Sequence, residues 1–220
     1  MRRPAIRTVP TLVITLLLSA CGGEPAEQGP PPDPLLRPAQ FTETAPATFL
    51  ANFETSVGDF VVEVHRDWAP LGADRFYNLA KGGYYDDSRV HRVVDGFMAQ
   101  FGIAADPYVS QAGKNEFIGD DPVVETNSRG RGTFAKGGLH SRTTEVFISY
   151  QDNGGLDNDA FAPFGEVIEG MEAVDAFYAS YGDGPPRGEG PYAAMAQARG
   201  NEYLDADFPE LTRIIKVTIR

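Results

Sequence analysis

The chain has 220 residues, of which 42% are hydrophobic and 23% charged, a size and balance that suit one globular domain and exclude collagen, coiled coil and polytopic membrane protein. Aspartate and glutamate total 31 against 19 lysine and arginine, for a net charge of -12. A surface of that sign repels phosphate backbones and anionic lipid, so nucleic acid is not an expected partner, and the single cysteine, Cys21, excludes an internal disulfide.

In chain order, the first segment reads as an address. Arg2, Arg3 and Arg7 precede the apolar run Leu12 to Leu18, which falls short of the ~20 residues a membrane-spanning helix needs, and residues 1–20 are expected to be a signal peptide. Leu18-Ser19-Ala20-Cys21 resembles the lipobox of bacterial lipoproteins. The resemblance implies lipidation of Cys21 and membrane attachment through acyl chains. With Gly22 following the cysteine rather than aspartate, it implies an extracytoplasmic protein, at the outer membrane facing the periplasm where two membranes exist. Residues 21–47 hold Gly29-Pro30-Pro31-Pro32-Asp33-Pro34, Pro38 and Pro46, and read as a proline-rich tether too poor in apolar side chains to fold alone.

The domain is expected over 48–220. Phe49 to Thr55 and Phe60 to Val64 flank the turn Ser56-Val57-Gly58-Asp59 as a hairpin. Pro70 to Gly82 reads as a helix, with proline in the first turn and Gly82-Gly83 at the stop. Arg89 to Val94 alternates and presents Arg92 between two valines. Further strands are expected at Phe97 to Gly102, Thr133 to Ala135, Val146 to Tyr150, Ala162 to Val167 and Ile214 to Ile219, with a second helix around Met171 to Tyr178. Many short strands, two helices and abundant glycine turns favour a closed antiparallel barrel. Between Tyr181 and Pro209 the glycine- and proline-rich run Gly182 to Pro191 and a short helix over Ala193 to Arg199 read as an added surface lobe.

Familiar hydrolytic machinery is missing from this inventory. His65, His91 and His140 are scattered, with no carboxylate or cysteine at metal-ligand spacing, so no metal site is expected. Asp152 to Asp159 is oxygen-rich but out of register for a calcium loop, and reads as a solvated loop. Gly130 to Gly137 misses the phosphate-loop pattern at Ala135.

A denser pattern remains. Val90-His91-Arg92-Val93-Val94-Asp95-Gly96-Phe97-Met98-Ala99-Gln100-Phe101-Gly102, then Phe134 to Gly138, Thr144 to Ile148, Leu156-Asp157 and Phe164 to Met171, resemble in order and spacing the cyclophilins, the cyclosporin-binding class of peptidyl-prolyl isomerases. The resemblance runs from about Phe49 to Ile219 and implies a mainly β fold: a closed eight-stranded antiparallel barrel capped by two helices. It implies X-Pro isomerisation of proline-containing polypeptides with no cofactor. Arg92, Phe97, Gln100 and Phe147 match the catalytic positions; Met98, Ala135, Lys136, Gly137, Glu145, Leu156 and Phe161 match the substrate-binding ones. Trp68 does not match the family's ligand-binding tryptophan and is expected to pack locally.

Four positions depart from the family pattern. Gly155 stands where the binding-loop tryptophan is usual, Phe161 where a histidine lines the groove, and Lys136 where the substrate-pairing segment has asparagine. Glu145 replaces a glutamine, so its carboxylate is expected either to pair with Arg92 or to select basic residues flanking proline. The leading expectation is an active isomerase for extracytoplasmic proteins. The alternatives are a membrane-anchored peptide-binding module of low activity and a scaffold acting through the added lobe.

Overall fold

The computed structural model describes residues 33–220; Cys21, the expected signal peptide and the first part of the expected tether lie outside them. Nine strands form one sheet: β1 (Thr48–Thr55), β2 (Phe60–His65), β3 (Ser88–Arg89), β4 (Arg92–Val94), β5 (Met98–Phe101), β6 (Arg131–Phe134), β7 (Val146–Ser149), β8 (Pro163–Glu169) and β9 (Arg213–Ile219). They run in the order β3-β9-β1-β2-β8-β6-β7-β5-β4, with every neighbouring pair antiparallel. The closed eight-stranded barrel is therefore corrected to a curled nine-stranded half-barrel with an open ladder. The stretch expected as one strand, Arg89 to Val94, breaks in two. Strict alternation would put Val90 and Val93 on opposite faces, yet both are buried in the core. The chain turns between them, and Val90 N–H bonds Thr212 O outside the β3 and β4 pairings.

Period-two burial builds the core. Along β1, Phe49, Ala51, Phe53 and Thr55 are buried while Thr48 and Glu54 are exposed, and Phe53 stacks on Phe60 with ring centres 4.4 Å apart. Helix α1 (Pro70–Lys81) lays Ala73, Phe76, Leu79 and Ala80 against the sheet, where Phe76 meets Phe164 at 4.8 Å. Its own N-cap, Ala69, offers no side-chain acceptor. The carboxylate of Asp121 takes that place, accepting from Leu71 N–H at 3.0 Å and Gly72 N–H at 2.9 Å, while Pro70 has no N–H to satisfy.

Two helices are expected as barrel caps and a short one in the lobe; among the described residues five α-helices are present, three outside the lobe and two in it. Helix α2 (Pro107–Gly113) starts at Asp106, whose side chain accepts from Tyr108 N–H. Helix α3 (Met171–Asp175) is shorter than the expected 171–178. Helices α4 (Ala193–Arg199) and α5 (Asn201–Asp207) form the added lobe. The lobe has its own small core of Ile103, Ala196, Tyr203, Leu204 and Leu211. Arg89, almost fully buried, ties it to β3 through a two-pronged pair with Asp205 at 2.8 and 2.9 Å.

The last part of the stretch expected as tether, residues 21–47, is docked on the domain. Asp74 and Asn78, one turn apart on α1, hold the backbone of Ala45 and Glu43, and Pro38 and Ala45 are buried. Among the described residues, no helix is long and apolar enough to cross a membrane.

Candidate active site

Cross-strand register assembles the site. Arg92 on β4 faces Gln100 on β5, which in turn faces Phe147 on β7. Residues directly opposite in antiparallel strands share a face, so a guanidinium, an amide and an aromatic ring stand in one row. Met98, two residues before Gln100, joins the same face. Gly102 ends β5 with φ 109°, and a side chain there would overlap the backbone of Thr144 and Glu145. That close approach puts Glu145 beside Gln100.

Loops complete the walls. Phe97 is held by its carbonyl, which accepts from Tyr150 N–H and Asn153 Nδ2, both at 2.9 Å. Leu156 and Phe161 flank Asp157, which accepts from the backbone and side-chain nitrogens of buried Asn127 at 3.0 and 2.6 Å; Asn127 also donates to Phe161 O at 2.7 Å. Ala135, Lys136 and Gly137 follow β6.

The resulting cavity measures about 330 Å³, within the range that takes a small ligand. All eleven residues expected from the sequence to act or bind line it, together with Ser141 and Thr143. Phe147 packs edge-on to Phe161 at 6.0 Å. The Lys136 ammonium turns away from solvent to Asp120 Oδ2 and Ala160 O, each at 3.0 Å, and lies 5.0 Å from the Phe161 ring centre. Its side chain braces the rim, which leaves the backbone as the part of Lys136 able to meet a peptide. Gly155 is exposed and a Cβ there would touch nothing within 4 Å, while Trp68 stacks on His65 at 4.0 Å and beneath Arg131 at 4.3 Å.

Arg92 does not pair with Glu145. Its Nε and Nη2 donate to the two carboxylate oxygens of Asp183 at 2.8 and 3.1 Å, and its Nη1 donates to Gln100 Oε1 at 2.9 Å. Gln100 passes the contact on, donating from Nε2 to Glu145 Oε2 at 2.7 Å. Glu145 also accepts from Gln197 Nε2 at 3.0 Å and pairs with buried His91 at 3.3 Å. Burial opposes its charge, but the bonds and charge of His91 and the bonds from Gln100 and Gln197 outweigh that and leave its pKa below the usual carboxylate value. With its oxygens so engaged, Glu145 is poorly placed to select basic substrate residues.

Sequence reasoning missed Asp183 and Gln197, both in the stretch read as a surface lobe, and His91, Asn127 and Asn153 behind the walls. A signal for Asp183 was present in its setting, between Gly182 and Gly184 in a run of turn residues. Its partner, 91 positions away, was not legible. For metals, Glu63, His65 and Glu166 bring ligand atoms within 4.8 Å of one another. They lie outside the cavity, and Arg131 already pairs with Glu166 at 3.1 Å and with Glu125 at 3.2 Å.

The geometry agrees with comparisons to known proteins. Residues 50–191 match the family model described as cyclophilin type peptidyl-prolyl cis-trans isomerase/CLD. The chain is 33% identical over 127 residues to peptidyl-prolyl cis-trans isomerase cypE of Dictyostelium discoideum, covering 55% of this chain and 79% of that one. It is 31% identical over 140 residues to peptidyl-prolyl cis-trans isomerase B of Escherichia coli, covering 57% and 82%. The fold resembles that of a Cryptosporidium parvum cyclophilin type peptidyl-prolyl cis-trans isomerase, with a TM-score of 0.60 and 20% identity over 79% of this chain and 98% of that one. A second crystal structure of that protein, in the presence of the dipeptide Ala-Pro, has a TM-score of 0.59.

Proposed function

The chain belongs to the cyclophilin-type peptidyl-prolyl cis-trans isomerase family and is an enzyme of that class; from this premise we propose that Arg92 is its electrostatic catalyst and that its substrates are proline-containing segments of extracytoplasmic proteins. The observation that carries the first part is the row Arg92, Gln100, Phe147 lining one cavity.

Rotation about an X-Pro bond is slow because the nitrogen lone pair is delocalised into the carbonyl, with a barrier of ~18 to 20 kcal/mol. No covalent step is needed to lower it. A donor near the prolyl nitrogen favours localisation of the lone pair there, and an apolar wall holds the ring while the flanking chain turns. Arg92 engages Asp183 through Nε and Nη2 and Gln100 through Nη1, and Nη1 also meets the Met98 sulfur at 3.9 Å, which leaves one N–H on Nη2 for substrate. Phe97, Met98, Phe147, Leu156 and Phe161 supply the ring-sized wall, Gln100 a polar contact, and the Ala135-Lys136-Gly137 backbone a place for an extended peptide. Exchange spectroscopy by NMR on a short Ala-Pro peptide tests this. Arg92→Ala is expected to reduce catalysed exchange on the order of 100-fold or more. Arg92→Lys is expected to restore little of it, since an ammonium cannot bond Asp183 in two prongs. Unchanged exchange in Arg92→Ala would remove the assignment.

Extracytoplasmic action rests on the signal-like segment and on Leu18-Ser19-Ala20-Cys21. Lipidation at Cys21 predicts incorporation of labelled palmitate in a bacterial host and its loss in Cys21→Ala. A mature protein without lipid would overturn it.

A further inference from the structure

The lobe of residues 181–209 reaches into the site at two points, Asp183 and Gln197. We propose that Asp183 is a positioning residue for the isomerase reaction, fixing the Arg92 guanidinium at the cavity it lines so that its remaining Nη2 N–H is held for substrate. The proposal rests on the reading of Arg92 as the donor and goes beyond it by making the lobe a working part of the site.

Three observations support it. The first is the contact itself: both carboxylate oxygens engage the Nε and Nη2 edge, the planar fork that sets the orientation of a guanidinium more tightly than a single bond does. Gln100 bonds Nη1, so rotation about the side chain's last bonds is stopped from two sides. Both members are sheltered, with side chains 22% and 19% exposed, so solvent screens the pair only in part.

The second is how Asp183 is held. Its Oδ1 also accepts from Gly184 N–H at 2.9 Å, and its carbonyl accepts from Gly190 N–H at 2.9 Å. The loop then folds back on that carbonyl so closely that a Cβ on Gly188 would overlap Asp183 O, and one on Gly190 would lie 3.0 Å from it. Glycine at both places is what lets the chain wrap Asp183. Arg187 adds a contact at 3.2 Å from an exposed position, a weak one by its setting.

The third is the rigid base beneath. Helix α4 is fixed to α2 by a bond from Gln111 Nε2 to Gln197 O at 2.9 Å, and the Gln197 side chain reaches Glu145. Thus Asp183 and Gln197 grip opposite ends of the Arg92, Gln100, Glu145 row. The Arg92–Asp183 pair makes the acid's pKa lower than usual, consistent with an ionised partner at neutral pH.

The test uses the full chain, a short Ala-Pro peptide, and NMR to read peptide affinity and on-enzyme exchange separately. Asp183→Ala is expected to slow exchange about tenfold with peptide affinity changed less than about threefold, because the apolar wall is untouched. Asp183→Asn, which keeps one acceptor, is expected to lose less. Gly188→Ala, which displaces Asp183 without altering its carboxylate, is expected to slow exchange in the same way. The Nε–H signal of Arg92 is expected to exchange slowly with water in the parent protein and to lose that protection in Asp183→Ala. Arg199→Ala, at an exposed lobe pair with Glu202, controls for general loosening and is expected to leave exchange unchanged. If Asp183→Ala exchanges peptide at the parental rate while Arg92→Ala does not, positioning is overturned and the donor assignment stands. Faster exchange in Asp183→Ala overturns it as well, since the lobe would then restrain Arg92. Equal rates in all variants, Arg92→Ala included, remove the donor assignment itself.

Discussion

Glu145 shows how one side chain changes meaning with its neighbours. From the sequence it is a carboxylate expected to pair with Arg92 or to select basic residues; in the fold it is an acceptor for Gln100, Gln197 and His91. Glutamine in its place would present an amide N–H₂ to groups that donate, leaving at least one donor unsatisfied. Glu145→Gln is therefore expected to destabilise the domain by about 1 to 3 kcal/mol. Urea denaturation at neutral pH measures this, and a midpoint at or above the parental one would refute it. Lys136 makes a second case. Its ammonium is committed to Asp120, Ala160 O and the Phe161 ring, so the substitution away from asparagine serves the rim rather than the peptide. The cavity-lining residues themselves were legible because each belongs to a short contiguous block. The roles of His91, Asn127 and Asn153 were not, since they act by holding loops that meet only in three dimensions.

Elements are stabilised by partners far from them in sequence. Helix α1 is capped by Asp121, whose Oδ2 also meets Arg142 at 2.9 Å, and both of those side chains are buried. Removing the acid strips the cap, at a cost of ~1 kcal/mol, and leaves a buried guanidinium short of a counter-charge, which commonly costs ~3 to 5 kcal/mol. Asp120 lies 3.6 Å from the same guanidinium and offsets part of that. Asp121→Ala is expected to lower the urea midpoint more than Glu145→Gln does; a shift no larger than that of an exposed substitution would show that the cap is dispensable. The docked segment before β1 makes a similar prediction. Deleting 33–46 removes Ala45 and the Glu43 bonds to Asn78 and is expected to lower the melting temperature by several degrees, whereas starting the chain at residue 33 supplies the reference. Proline content had marked this stretch as spacer, and the acceptors on α1 that hold it were invisible to that criterion.

For the molecule as a whole, pH dependence follows from the carboxylates. Asp74, Asp120, Asp157 and Glu145 are opposed by burial but held below their usual pKa by bonds from their partners, and Asp183 is held there chiefly by its bond from Arg92. A carboxylate whose folded pKa is depressed adds stability that is fully present above its unfolded value, near ~4, and lost as pH falls through the lower folded one. The domain is thus expected to keep its stability from neutral pH down to the unfolded carboxylate range and to lose it below. Urea midpoints taken between pH 7 and pH 3 should fall less steeply in the Glu145→Gln, Asp183→Asn double variant. Parallel slopes would mean that these two sites carry none of the acid sensitivity.

The amino-acid order alone settled what acts over a few residues: the alternation that makes strands, the proline and glycine that start and stop α1, and the blocks that furnish a guanidinium, an amide and a ring-sized apolar wall. It carried most of the strand positions, the cavity lining and the family. Tertiary structure alone decided that the stretch from Arg89 to Val94 divides into two strands, because Val90 and Val93 both reach the core. It alone decided that Arg92 answers to Asp183 across 91 positions. Periodicity and turn chemistry are local, whereas an ion pair at that separation depends on how the lobe packs against α2 and β3, and no local pattern encodes that packing.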